Sequence, residues 1–188
     1  MKTVLAFFAA ALCLAASSPV LAHGPHEHGA AVLNLAVDGS VLSISLESPL
    51  ANFLGFEHAP ETEQQKAEAL ALAAQLRKAE DLFRPDPAAG CRLEKVSLES
   101  EALQDILGEP SVAGGAEHSA DNAEDHDEEH GDLDAEYSFL CLKPEALHSV
   151  ELLLFSVWPG FRDIDVQMVT PAGQGAAELT PEQPVIRW

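Results

Sequence analysis

Six of the eight histidines fall in two short stretches: His23, His26 and His28 near the start, and His118, His126 and His130 in an acidic segment. Neutral imidazole is the usual nitrogen ligand for borderline metals such as zinc, which takes about four ligands from His, Cys, Asp or Glu. His26 and His28 flank Glu27. On an extended chain both rings of such an H-x-H pair point to one side and reach one ion. His126 and His130 are four residues apart, the spacing that brings two side chains onto one face of a helical turn, and they stand among Glu124, Asp125, Asp127, Glu128, Glu129, Asp132 and Asp134. Carboxylates attract a doubly positive ion, accept hydrogen bonds from ligating imidazoles and also ligate. The plainer readings are a frayed polar start and a solvated acidic tract, and chelation is favoured over both. His58 stands apart, in the run Gly55-Phe56-Glu57-His58-Ala59-Pro60, on a connector where a rigid scaffold presents it beside Glu57. His148 is read as an ordinary turn residue.

Two sharper motifs are rejected. His126-Asp127-Glu128-Glu129-His130 satisfies H-x-x-E-H, a zinc-protease pattern. That chemistry needs an amphipathic helix packed against a core beside a dry cleft, and this segment has no apolar face. Asp125, Asp127, Glu129 and Glu136 match some positions of a calcium loop, but the glycine required at its sixth position is His130. There is no phosphate-cradling glycine loop and no nucleophile elbow, so the chain is not read as an enzyme.

Elements that must position these residues follow from the pattern. Met1–Ala22 has Lys2, an apolar run and a small residue at its end, the form of an export signal cleaved after Ala22. Cys13 is not read as a lipid anchor, because Leu12 precedes it where a small residue is needed. No later run approaches the roughly 20 apolar residues of a spanning helix, so no membrane insertion is expected and the location is taken as periplasmic. The formal charge of -21, or -22 once Lys2 leaves, argues against nucleic acid and anionic membranes and favours cations. Cys91 and Cys141 remain in a compartment that permits disulfides, and a bridge between them is expected over a pair of thiolate ligands, since the close spacing of structural zinc sites is missing.

Residues 31–46 alternate around Asp38-Gly39 and read as a hairpin with Leu33, Leu35, Val37, Leu42, Ile44 and Leu46 inward. Thr62 and Gln65 form a capping-box pattern opening a helix expected over 63–83, with Leu72, Leu76, Ala79 and Phe83 on one stripe. A strand is expected over 91–98, a helical turn over 101–107, and strands over 137–142, 150–157 and 164–169. Residues 111–134 are too poor in large apolar side chains to offset their ordering entropy and read as a long acidic, His-rich loop. The class is α+β: antiparallel sheets with one main helix. Recurrence of a His-Gly pair (His28-Gly29, His130-Gly131) and a Gly-Phe turn (Gly55-Phe56, Gly160-Phe161) suggests two pseudo-symmetric halves, about 23–110 and 135–188, with ligands meeting at their seam.

The order His-x-His-Gly, Ser48-Pro49, Gly55-Phe56-Glu57-His58-x-Pro60, Leu82-Phe83, Cys91, a His/Asp loop, Tyr137-Ser138-Phe139-x-Cys141, Phe155, Pro159-Gly160-Phe161 and Gln167 resembles the ZrgA family of periplasmic zinc-uptake proteins over nearly the whole mature chain. The resemblance implies a zinc-binding component working beside an inner-membrane zinc importer of the ABC type. By position it carries His28 and His58 into the metal site, with His26, His126 and His130 as further ligands. A periplasmic zinc buffer or metallochaperone without a transporter partner is the alternative, and an interaction domain with an incidental His tail is a third reading.

Overall fold

The computed structural model describes residues 28–108 and 131–188. The expected signal peptide, His23, His26, His118, His126, His130 and almost all of the expected loop lie outside these residues.

The alternating pattern at the start of the described chain becomes a hairpin of β1 (Ala30–Asp38) and β2 (Val41–Pro49), in register from Val32 opposite Glu47 to Asp38 opposite Val41. Gly39 and Ser40 form the two-residue connection, and Gly39 takes the positive φ of 56° that such tight turns demand. A short helix α1 (Ala51–Leu54) follows and ends on Gly55 in the left-handed region, φ 77°. The main helix α2 (Glu63–Leu76) opens on the expected capping box: Thr62 Oγ1 accepts from Gln65 N at 3.2 Å, and Gln65 Oε1 accepts from Thr62 N at 3.1 Å.

The remaining strands are β3 (Phe83–Pro85), β4 (Cys91–Glu99), β5 (Asp132–Cys141), β6 (Ser149–Leu152), β7 (Asp163–Thr170), β8 (Gly173–Leu179) and β9 (Val185–Arg187). Two short helices, α3 (Gln104–Leu107) and α4 (Leu154–Val157), punctuate them. One sheet runs β4-β5-β2-β1-β7-β8 and a second runs β3-β6-β9. This is the expected α+β class with one main helix. The large sheet is mixed, because β1 and β7 pair in parallel, Ala30 with Asp163 through Ala36 with Val169. They are far enough apart in sequence for the long crossover a parallel pair requires.

A single core joins the layers. Leu33, Leu35, Leu42, Ile44, Leu46, Leu133, Tyr137, Phe139, Ile164 and Val166 line the inner face of the large sheet. Against them stand Ala69, Leu72 and Leu76 of α2 and Phe83, Val150, Leu152 and Ile186 of the small sheet. Phe83 meets Tyr137 edge-on with ring centroids 4.9 Å apart. The alternate positions Asn34, Ser43, Glu136 and Gln167 face solvent, as period-two strands require.

Three expectations are corrected. The helix expected to run to Phe83 stops at Leu76 with Arg77 as its cap; a helical turn over 79–81 then delivers fully buried Leu82 and Phe83 to the core, where Phe83 pairs with Leu152. Here tertiary burial outweighs helix propensity. The strand expected over 150–157 ends at Leu152, since Leu154 and Phe155 are buried on α4 instead. Asp132 to Asp134, expected as loop, open β5 because Leu133 is fully buried and pairs with Ser48. Cys91 and Cys141 are opposite each other on β4 and β5 and form the expected disulfide.

Candidate metal centre

At one end of the large sheet, the beginnings of β1 and β5 arrive on either side of α1. Each of these two strands is preceded by a glycine that a histidine precedes in turn. On the β1 side, Gly29 adopts φ 93°, and its N–H donates to Asn52 Oδ1 at 2.6 Å. Its carbonyl accepts from Arg162 N at 2.7 Å and Asp163 N at 3.2 Å. On the β5 side, the Gly131 carbonyl accepts from Leu50 N at 2.8 Å, and a Cβ on Gly131 would overlap the Glu57 carbonyl oxygen. Only glycine permits so close an approach of two backbones.

The connector between these two junctions carries the polar groups. Asn52 is buried on α1, and its Nδ2 donates to Ala30 O at 2.8 Å and Ser48 Oγ at 3.0 Å. Phe53 turns to the other side of α1 and packs edge-on against Trp158 and Phe161, at centroid separations of 5.0 and 5.1 Å. The aromatic contacts anchor the connector to the turn that leads into β7. The chain then emerges through Gly55 and places Glu57 and His58 at the surface side of the anchor.

His28 and Glu57 come together: His28 Nε2 is 3.0 Å from Glu57 Oε1, with the His28 side chain 69% exposed and the Glu57 side chain 12% exposed. The pair therefore joins an accessible imidazole to a largely covered carboxylate. A carboxylate in this position orients the imidazole. Arg162 reaches over Gly29 and donates through Nη2 to the His28 carbonyl, so the backbone of His28 is held as well as its ring.

His58 is exposed, its ring stacked on Phe56 with centroids 5.1 Å apart, and its Nδ1 lies 2.8 Å from the Ala59 carbonyl. The tautomer protonated at Nδ1 donates to that carbonyl and leaves the Nε2 lone pair for a ligand. His148 lies elsewhere, at the entry to β6, where its backbone N–H donates to Asp86 Oδ2 at 2.7 Å. The burial of Asp86 pushes its pKa up, but hydrogen bonds from His148 and Ser149 outweigh this and hold the carboxyl below its ordinary value.

Of the five histidines expected as ligands, His28 and His58 are described, and His26, His126 and His130 lie outside the described residues. Among the described residues, no group of three or more His, Cys, Asp or Glu side chains is arranged to hold a metal ion. What this end of the sheet offers is one His-Glu pair, a second imidazole on the residue after that Glu, and two glycines, Gly29 and Gly131, fastened to one connector.

The model of the ZrgA family of zinc uptake proteins matches residues 25–188. The chain belongs to that family. A comparison with curated proteins finds no match. Membership of the ZrgA family places the chain with proteins of zinc binding and transport, not with a known family of enzymes. No described helix is long and apolar enough to cross a membrane. For a member of a zinc-uptake family the donor types at the β1–β5 end are apt, since imidazole nitrogen and carboxylate oxygen are both ordinary zinc ligands.

Sequence reasoning named Glu57 as a companion of His58 but missed its contact with His28. It also missed Asn52 and Arg162 entirely. The signal for Asn52 was present, as a lone amide between Leu50-Ala51 and Phe53-Leu54 that is costly to bury unless every polar atom finds a partner. Nothing in the sequence marked Arg162, whose role depends on the parallel pairing of β1 and β7.

Proposed function

We propose that this protein is a periplasmic zinc-capture component that binds the ion at the β1–β5 end of the large sheet and serves its uptake by an inner-membrane importer of the ABC type. His28 and His58 are the ligands from the folded domain, and Glu57 is the carboxylate that orients His28. His26, His126 and His130 complete or feed the site from the two segments that lead into Gly29 and Gly131. The observation that carries this reading is the convergence of Gly29 and Gly131 on the connector 50–58. In sequence His28 precedes one anchored glycine and His130 the other; the Glu57 side chain meets His28, and its carbonyl lies against Gly131. A site at this place draws on both parts of the chain, as the recurrence of His-Gly and Gly-Phe pairs suggested.

Zinc is cargo in this reading, so the site must release as well as bind. Each imidazole binds only when neutral, and protonation competes directly with the ion. The high acidity of the chain keeps cations near the surface without fixing them. Export to the periplasm is supported by the form of residues 1–22 and by the disulfide, which belongs to an oxidising compartment.

The test is a zinc titration against a competing chelator on the chain from His23 to Trp188. It is repeated with His28→Ala, with His58→Ala, and with residues 111–130 removed; removal stops before Gly131 to spare β5. The reading predicts at least roughly a tenfold weakening for each histidine variant, the scale for losing a ligand or its orienting partner. Affinity unchanged in both variants and lost on removal of 111–130 would move the site away from the folded domain and favour a buffering role. For the uptake step, a strain lacking the protein should need more zinc for growth only while its importer is present.

A further inference from the structure

We propose that Asn52 is a positioning residue of the zinc site, acting on the ion through the backbone that presents His28. This rests on the assignment of His28 as a ligand. Asn52 is 6% exposed and ties the entry to β1 to the end of β2: Oδ1 accepts from Gly29 N at 2.6 Å, and Nδ2 donates to Ala30 O at 2.8 Å and to Ser48 Oγ at 3.0 Å. A buried amide with a full set of partners is a rigid fixture, because swinging it away strands several polar atoms at once.

The clamp has a second jaw. Arg162 lies over Gly29 and donates from its side chain to the His28 carbonyl, while the Arg162 and Asp163 N–H groups donate to the Gly29 carbonyl at 2.7 and 3.2 Å. The peptide between His28 and Gly29 is thus gripped from α1 on one side and from the start of β7 on the other. Gly29 itself holds φ 93°, a conformation other residues rarely adopt, which turns the chain sharply just after His28. The turn directs the imidazole of His28 back over the connector, where Nε2 stands 3.0 Å from Glu57 Oε1.

Gly160 makes the clamp compact. A Cβ at Gly160 would sit 2.6 Å from the Asn52 carbonyl oxygen, so the turn before β7 closes directly onto the backbone of Asn52. Asn52 therefore links three pieces: the His28 junction, the connector that bears Glu57 and His58, and the turn that supplies Arg162. Without its amide, the Gly29 N–H loses its acceptor while the bonds from Arg162 and Asp163 remain, and the His28 ring loses its fixed relation to Glu57.

A double-mutant cycle on the chain from His23 to Trp188 separates positioning from general stability. Zinc affinity is measured by chelator competition, and Tm by thermal melting, for the unaltered protein, Asn52→Ala, His28→Ala and the double variant. The expected result is a loss of roughly tenfold or more on Asn52→Ala when His28 is present and less than about twofold when His28 is already alanine. Equal losses in both backgrounds, or a lowered Tm with unchanged affinity, would overturn the positioning role. Asn52→Ser passes through the same cycle with a milder truncation, so the result does not depend on Asn52→Ala folding. Ser48→Ala, which leaves both Asn52 bonds to the β1 entry intact, should lower Tm while keeping affinity within about twofold. If His28→Ala binds zinc as tightly as the unaltered protein, the fault lies with the ligand assignment and not with the clamp.

Discussion

The two ends of the large sheet are held together by different means. At the end where β4 begins and β5 finishes, the fastening is covalent and apolar: Cys91 is bridged to Cys141, Leu142 covers Gly90, and backbone bonds join Cys141 N to Ser40 O at 2.8 Å and Lys143 N to Ala89 O at 2.9 Å. At the other end, where β1 and β5 begin, the fastening is a set of hydrogen bonds: Gly29 N–H donates to Asn52, Arg162 donates to the His28 and Gly29 carbonyls, and Leu50 N–H donates to the Gly131 carbonyl, with His28, Glu57 and His58 at the rim. At the first end both thiols are consumed in the bridge. The second keeps the His28 and His58 rings within reach of solvent, with the Glu57 carboxylate largely covered beside His28. The lesson is a division of labour: a disulfide secures the frame at one end, and the opposite end, where the zinc site is proposed, is built from imidazole and carboxylate side chains.

This contrast is open to attack at each end. Cys141→Ser should have the largest effect on stability, about 2–5 kcal/mol, or a fall in Tm of roughly 10 °C. Zinc affinity of the folded protein should stay within about twofold, because distant sites behave independently. A matching loss of affinity in a chelator competition would show that the two ends are not separate.

Gly131→Ala strikes the end where the zinc site is proposed. Its Cβ would overlap the Glu57 carbonyl, so the connector must shift, at a cost of about 1–3 kcal/mol. Zinc affinity should fall with stability, by roughly tenfold, since Glu57 and His58 move together. Thermal melting and zinc titration of the same sample read both. A loss of stability alone would detach the connector from the site.

The smallest effect sharpens the electrostatic side. Asp134, two residues into β5, lies between Glu47 on β2 and Glu99 on β4. Partial burial, followed by repulsion from Glu47, Asp132, Glu99 and Glu136, raises its pKa above the ordinary carboxylate value. A raised pKa in the folded state means the folded protein binds the proton more tightly than the unfolded chain. The resulting destabilisation is fully present above the folded value and disappears as pH falls through it toward the unfolded value of about 3.9. Asp134→Asn should therefore raise Tm by roughly 1–2 °C at neutral pH and by less at pH near 4. A gain that grows on acidification would contradict the sign.

Legibility in the sequence followed the range of the interactions. The β1–β2 hairpin, the Thr62–Gln65 capping box and the Cys91–Cys141 bridge rest on local spacing or on having only one partner to choose, and all were readable. The end of α2 was not, because only the assembled core reveals that Leu82 and Phe83 are worth more buried beside Tyr137 and Leu152 than on a continued helix. β8 was missed for a related reason. Gly173-Gln174-Gly175-Ala176-Ala177 has little strand propensity and is fixed by its pairing with β7. In the candidate site, His28, Glu57 and His58 were visible as residue types. Their arrangement was not, since the His28–Glu57 contact depends on β1 and α1 meeting through Asn52.

The most direct test of the account is a crystal structure of the chain from His23 to Trp188 soaked with one equivalent of zinc, with anomalous differences recorded on both sides of the zinc absorption edge. The account predicts a single strong peak at the β1–β5 end, within roughly 2.0–2.2 Å of ring nitrogens of His28 and His58. A full-occupancy peak elsewhere, with no ion beside either ring, would contradict it.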